Sequence, residues 1–275
     1  MKQIKMRNQI FDCVTFFQEN IQFELRVNIL NHVVDKFIVC ESIFDHSGKK
    51  KKINFNPNLY PNFKNKILHL ILEKPFPKRN NRWENQAIQR EYLFDGFKNA
   101  DENDLIMFSD PDEIPNPFEL KEINLEKKIG IFMQKMFSYK LNLFNPYETP
   151  WEGTRISKKK NLKSIDYLRQ KVLVKNLKYP FWRFDKERSI QIIQNGGWHF
   201  NYLHTPEEIS HKLNTFAHSQ WSNKEFTEIN TIKNKILNNE DLFNRGHRYH
   251  VVKNLDYLPD YIKENLNKYS DWIKD

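Results

Sequence analysis

The sequence predicts an α/β fold: a mostly parallel sheet flanked by helices, with a helical extension at the C-terminal end. Three observations point there. Short β-favouring apolar runs alternate with helical periodicity through the first part of the chain. One such run, Leu105-Ile106-Met107-Phe108-Ser109, stops abruptly in Asp110, Asp112 and Glu113. The last part of the chain is written mainly in helical period.

Taken in order, residues 10–17 read as a strand, and residues 21–32 place Ile21, Leu25, Ile29 and His32 on one helical stripe. Residues 36–40 form a second strand ending at Glu41, and residues 66–72 a third. A helix over 83–97, with Ala87, Arg90 and Phe94 along one face, precedes the strand that delivers Asp110. Parallel neighbours need crossovers of this kind, which is why the alternation implies a parallel sheet. After Pro117 the pattern loosens, with strand-like segments at 129–143, 171–175, 189–193 and 198–203. Helices are expected at 206–218, 224–238 and 259–272. No repeat or linker interrupts the chain, so one domain over 1–275 is expected: a nucleotide-binding half (9–117), an acceptor and metal half (118–220) and a helical extension (221–275).

Composition narrows the function classes. The 275 residues can bury a sizeable core, and no apolar run is long enough for a membrane span. Residues 1–8 enter the first strand without a signal-peptide core, and Cys13 and Cys40 sit inside apolar runs as buried thiols. A soluble, cytoplasmic protein is the expectation. The net charge of +9 suits nucleic acid, a membrane surface or a phosphorylated substrate, but its densest runs, 49–52 and 158–160, read as solvated loops. No nucleic-acid-binding module accompanies them, so no nucleic-acid partner is expected.

The acidic strand end carries the chemistry. In extended backbone Asp110 and Asp112 would point the same way and repel, an arrangement that a bound cation makes cheap. Carboxylates suit Mg²⁺ or Mn²⁺ together with substrate phosphates. The plain alternative is an acidic turn capping a helix near Pro117. Neither G-x-G-x-x-G nor the glycine-rich phosphate loop is present, so a diphosphate would need a metal and basic side chains. The ends of the first two strands, Thr15-Phe16-Phe17-Gln18-Glu19 and Cys40-Glu41-Ser42, should crowd beside Asp110 at one sheet edge, where open α/β sheets bind ligands. Gly196-Gly197-Trp198-His199 adds an imidazole that could complete a metal shell.

Phe37-Ile38-Val39-Cys40-Glu41-Ser42, Asp110-Pro111-Asp112-Glu113-Ile114-Pro115 and Gly197-Trp198-His199-Phe200 together resemble the successive signatures of family 17 glycosyltransferases, which include the animal enzyme adding a bisecting N-acetylglucosamine. Further matches are Phe23-Glu24-Leu25-Arg26 before Val33-Val34-Asp35, His46-Ser47-Gly48, Trp151-Glu152-Gly153-Thr154, and Pro206-Glu207-Glu208 followed by Lys212, so the likeness runs over residues 10–218. The resemblance implies a GT-A type fold and inverting transfer of N-acetylglucosamine from UDP-N-acetylglucosamine with Mn²⁺ or Mg²⁺. It implies Asp112 and His199 as metal ligands, with Asp110 on the metal, the ribose or a metal-bound water. Thr15, Phe16, Glu19 and Glu41 are then expected at the uridine, and Arg90 and Lys212 at the diphosphate.

For the general base Glu113 comes first, with helix capping as its rival role, and Glu152 and Asp45 as alternatives. Trp151, Trp182, Trp198 and Trp221 offer sugar platforms, and Arg26 is expected to pair with Glu24. The family's animal members carry an anchor and stem that do not precede the match here, which favours a cytoplasmic or lipid-linked glycan acceptor and a peripheral membrane contact through the basic surface. Residues 154–194 match least. Three rivals stay open: a different nucleotide-sugar, a metal-dependent phosphoryl or nucleotidyl transferase, and a basic nucleic-acid binder.

Overall fold

A computed structural model of the chain describes residues 7–215 and 224–275. Four strands, β1 (Ile10–Thr15), β2 (Lys36–Ser42), β3 (Ile67–Leu72) and β4 (Leu105–Ser109), pair in parallel in the order β3-β2-β1-β4. The crossovers carry α1 (Asn20–Leu30) and α2 (Arg82–Tyr92), the latter opened by a capping box between Asn81 and Glu84. Alternation along each strand divides the apolar residues between the two faces. Ile10, Val14, Leu105 and Met107 pack with α1, while Phe11, Cys13, Ile106 and Phe108 pack on the opposite side. Both cysteines are buried and unpaired.

After β4 come β5 (Glu113–Pro115), α3 (Pro117–Lys121), β6 (Ile129–Ser138), β7 (Leu143–Phe144) and β8 (Trp151–Lys158). β8 joins β4 and β6 joins β8, both antiparallel, so the sheet is parallel in its first half and mixed in its second. Next are α4 (Ile165–Gln170), β9 (Ile190–Ile193) and β10 (Gly197–Asn201). β9 and β10 both run parallel to β6, along its first and last residues, and β10 is also antiparallel to β5. The chain closes with α5 (Pro206–Thr215), α6 (Lys224–Thr227), α7 (Ile229–Leu237), β11 (His250–Val251), which pairs with β7, and α8 (Asp260–Glu264). The expected end of the 206–218 helix and Trp221 lie outside the described residues.

Several expectations change on contact with the structure. The strand expected at 171–175 is absent, because the chain turns out of α4 into a 3-10 helix, Val174–Lys178, whose first amide donates to the Glu152 side chain at 2.9 Å. β8 covers Trp151-Glu152-Gly153-Thr154, which the sequence marks by motif and not by strand periodicity. The expected 224–238 helix is two pieces, and the 259–272 helix is α8 followed by a 3-10 stretch, Leu266–Trp272.

Arg26 does not pair with Glu24. It reaches inward from α1 to Asp12 on β1, with Nε at 2.6 Å and Nη2 at 2.8 Å from the two carboxylate oxygens, and its Nη1 donates to the Glu113 carbonyl at 2.6 Å. Arg26 and Asp12 are wholly buried. Helix geometry makes this possible, since Leu25 and Arg26 both lie on the sheet-facing side while Glu24 faces out to Lys268. The pair ties α1 to β1 and to the acidic segment after β4, which fixes the floor of the site.

Candidate active site

The ends of β1, β4 and β10, the loop after β2 and the buried face of α5 surround a cavity of about 310 Å³. Residues 110–113 are not extended as the two-residue spacing suggested. Pro111 and Asp112 form a turn closed by the Glu113 amide on the Asp110 carbonyl at 3.0 Å, while the Asp110 amide donates to Glu113 Oε2 at 3.1 Å. A turn sends neighbouring side chains apart, so the two aspartates have different partners.

Asp110 faces arginines. Arg169 on α4 holds its Oδ2 at 2.6 Å and 3.0 Å, and Arg90 on α2 approaches Oδ1 at 3.2 Å. Burial alone would raise this carboxyl, but the Arg169 and Arg90 guanidiniums outweigh it and lower it to about 2. Asp112 faces the cavity, with His199 Nε2 at 3.4 Å from Oδ1 and Lys212 Nζ at 3.7 Å from Oδ2. Burial pushes this carboxyl up too, and His199 with Lys212 overcompensates and holds it well below its usual range.

The backbone explains why His199 stands beside Asp112. Within β10, His199 lies opposite Glu113 of β5, and the Phe200 amide donates to the Asp112 carbonyl at 2.8 Å. This close approach requires glycine at 197, which has φ +112° and where a Cβ would lie 2.2 Å from the Ile114 carbonyl oxygen. Burial lowers the His199 imidazole, the Asp112 carboxylate raises it, and the carboxylate prevails. Its Nδ1 is buried with no hydrogen-bond partner, and its ring lies 5.0 Å from that of Trp151.

Lys212 comes from α5, whose start is fixed by the exchange of Thr205 and Glu208 hydrogen bonds at 2.9 and 3.2 Å. Burial disfavours its charge, but Glu19 at 3.2 Å and Asp112 raise its pKa above the usual lysine value. Glu19 also accepts the Phe17 and Gln18 amides at 2.9 and 3.0 Å, closing the turn between β1 and α1.

Of the residues marked in the sequence, Thr15, Phe16, Glu19, Asp45, Asp110, Asp112, Trp151, His199 and Lys212 line the cavity. Four others stand behind its wall. Glu113 is fully buried and accepts from Trp151 Nε1 at 2.7 Å and Arg169 at 2.8 Å, and the cap of α3 is Asn116, not Glu113. Glu152 accepts the Val174 amide, and Arg90 bridges Asp110 and Asp166. Glu41 accepts the Asn54 and Phe55 amides and pairs with Lys51, which holds the loop after β2. Trp198 points to the opposite face of the sheet and donates to the Tyr257 carbonyl at 2.7 Å.

Sequence reading missed Arg169, which binds Asp110 and Glu113 together, and the wall formed by Glu148, Tyr202 and Arg245. Arg245 reaches Glu148 at 3.0 Å across 97 residues of chain, a contact that leaves no mark in local patterning. His46, another wall residue, lay in the His46-Ser47-Gly48 match but carried no role there.

No curated protein matches the chain. Among solved structures, glucosyl-3-phosphoglycerate synthase from Mycobacterium tuberculosis, crystallised with Mn²⁺, UDP and phosphoglyceric acid, is 12% identical over 89% of this chain and 87% of that one, with a TM-score of 0.39. TarS from S. aureus is 12% identical over 84% and 71%, with a TM-score of 0.36. HddC from Yersinia pseudotuberculosis is 9% identical over 68% and 90%, with a TM-score of 0.34. The model of glycosyltransferase family 17 matches residues 1–269, spanning every strand and helix that forms the cavity, and the chain therefore belongs to that family of glycosyltransferases.

Proposed function

We propose that the protein transfers N-acetylglucosamine, with inversion, from UDP-N-acetylglucosamine to a hydroxyl of a glycan acceptor. The observation that carries this reading is the convergence of Asp112, His199 and Lys212 on one cavity at the strand ends. Asp112 Oδ1 and His199 Nε2 face one another at a spacing that two ligands of one cation adopt, which fits a divalent metal. No group of three His, Cys, Asp or Glu side chains among the described residues could hold an ion, so diphosphate oxygens and water would complete the shell, as suits Mn²⁺ or Mg²⁺. A cation bound there supplies charge neutralisation at the leaving diphosphate.

The remaining roles belong to the chain. Lys212 offers its ammonium to the same diphosphate, and Thr15, Phe16 and Glu19 flank the nucleoside at the end of β1. Asp110, with both oxygens held by arginines, keeps the turn in shape and leaves Asp112 as the carboxylate facing the metal. Asp45 is the base candidate that lines the cavity, and its Oδ1 accepts both Ser47 Oγ and the Lys49 amide, which orients the carboxyl. Transfer forms the bond from acceptor oxygen to anomeric carbon as the bond to the β-phosphate oxygen breaks. UDP leaves with the electron pair, and the hydroxyl proton passes to Asp45. Trp151 supplies an apolar face beside His199 for a sugar ring.

Calorimetry with a panel of UDP-sugars, in Mn²⁺ and after chelation, tests the reading. UDP-N-acetylglucosamine should bind tightest and lose at least about tenfold in affinity on chelation. Equal affinity in chelator would remove the metal, and tighter binding of another UDP-sugar would replace the donor.

A further inference from the structure

The segment between the 3-10 helix Val174–Lys178 and β9 ends in an unusual tip. Phe181, Trp182 and Phe184 are 76%, 61% and 89% exposed, three large aromatics within four residues. Phe181 and Trp182 stack edge to face on each other, with centroids 5.2 Å apart. Scattered single apolar residues on a surface need no explanation, but a contiguous cluster this exposed marks a surface that something covers.

The tip is built rather than loose. The Tyr179 amide donates to the Asn176 carbonyl, and Asn176 is buried with its side chain on the Lys171 carbonyl at 2.8 Å. The Arg183 amide donates to the Pro180 carbonyl, the Lys186 amide to the Arg183 carbonyl, and the chain then enters β9. The stretch 171–188 is a basic collar in sequence: Lys171, Lys175, Lys178, Arg183, Lys186 and Arg188 against two acids, Asp185 and Glu187. Arg183 and Lys186 both lie over the Tyr179 ring, at 5.3 and 5.6 Å, and both pair with Asp185, at 2.7 and 3.4 Å, so the positive charge beside the aromatic tip rests on the excess of basic residues in the stretch.

We propose that residues 178–186 form a membrane-contact loop that inserts Phe181, Trp182 and Phe184 into the interfacial layer of an anionic bilayer while the collar binds its headgroups. Aromatic rings settle at the headgroup boundary, and lysine and arginine add attraction to anionic lipid. The tip projects, with Phe184 nearly fully exposed, so it suits a deformable lipid layer better than a flat protein partner. The net charge of +9 favours the same surface at long range. Among the described residues no helix is long and apolar enough to cross a membrane, so any such contact would be from one side. The loop also connects to the active site. Arg169, at the end of α4 and upstream of the 3-10 helix, holds Asp110 and the Glu152 carbonyl, so the chain leading toward the loop is anchored at the Asp110–Glu113 turn. The proposal does not depend on the donor sugar, because vesicle binding is read without turnover.

Co-sedimentation of the full chain with phosphatidylcholine vesicles, with and without phosphatidylglycerol, tests it. The protein should pellet with the anionic vesicles, and the triple variant Phe181→Ser, Trp182→Ser, Phe184→Ser should bind at least about tenfold more weakly while melting at the parent temperature. Phe184→Ser alone, at the most exposed position, should weaken binding severalfold and decides the matter if the triple variant melts early. Lipids brominated in the acyl chain should quench a share of the tryptophan emission that Trp182→Phe removes. Unchanged binding by the variants, or no quenching of Trp182, would leave only loose charge attraction and overturn the proposal. So would the absence of vesicle binding with concentration-dependent self-association that the triple variant abolishes, since a second copy would then be the occupant.

Discussion

Two buried carboxylates of this protein sit among cations, and they are built differently. Asp12, in the middle of β1, is saturated: both oxygens receive Arg26 nitrogens within 2.8 Å, and the remaining Arg26 Nη1 is on a carbonyl. Asp112, one turn beyond β4, keeps its cations at 3.4 and 3.7 Å, and the imidazole beside it carries a buried nitrogen without a partner. Similar charges thus serve different ends. A closed network leaves nothing for a ligand, whereas an open one at a cavity holds polar capacity in reserve that binding can satisfy.

The largest expected effect comes from breaking the closed network. Arg26→Ala strands the Asp12 carboxylate in the core and frees the Glu113 carbonyl, and should cost about 3–5 kcal/mol in denaturant unfolding. Replacing both members by leucine and methionine should recover much of that loss. If Arg26→Ala unfolds at the parent midpoint, water reaches Asp12 and the region is not closed as described.

At the open network the order reverses. Asp112→Asn keeps the shape and removes the charge, so turnover, followed as UDP release, should fall by roughly a hundredfold or more. Stability should fall by less than for Arg26→Ala, because the His199 and Lys212 contacts are longer than those at Asp12 and Lys212 keeps Glu19 as a partner. A variant with near-parent turnover would make Asp112 a turn residue only, and a large stability loss would place it with Asp12.

How much of this contrast the sequence carried depends on the range of the contacts involved. The parallel half was readable because strand and helix periods differ and alternate, so β1 to β4 and α1 appear within a residue or two of their expected ends, while the helix expected over 83–97 stops at Tyr92 and continues as the 3-10 stretch Leu93–Gly96. Asp112 and His199 were also visible, but through motifs rather than geometry. The wrong partner for Arg26 shows the limit: Glu24 is two residues away and suggested itself, while Asp12 lies on another element. The extended reading of residues 110–113 failed for a related reason, since Pro111 fits a strand end or a turn equally well and the Glu113 amide decides. Arg169 had no signal at all, because α4 has its role only once β4 and β8 are side by side.

A titration gives a third, smaller handle. His46 lies in the cavity wall with Nε2 at 2.8 Å from Gln89 Oε1, and burial lowers its pKa to about 4. An unfolded histidine takes up its proton near 6.5, so between about 6.5 and 4 the unfolded chain binds a proton that the folded chain refuses. Stability should therefore decline as pH falls through that window, by about 1–2 kcal/mol given the residue's partial exposure. His46→Gln should remove that part of the decline in pH-dependent melting. An unchanged profile would mean that His46 titrates normally and the wall is open to solvent there.

The smallest expected effect lies on the same helix as the largest. Glu24, two residues before Arg26, turns outward from α1 and pairs with Lys268, which is half exposed, and with the Tyr269 hydroxyl at 2.9 Å. Water competes for both charges, and ordering a long lysine side chain costs entropy, so Lys268→Ala should change stability by less than about 0.5 kcal/mol. Glu24 would keep Tyr269, so no buried group loses its only partner. Paired with Arg26→Ala, this variant isolates burial as the variable, because both pairs anchor α1 and differ mainly in whether solvent can replace the missing partner. A loss at Lys268 comparable to that at Arg26 would show that what α1 needs is attachment at both faces, and the distinction between closed and open networks would then rest on the active site alone.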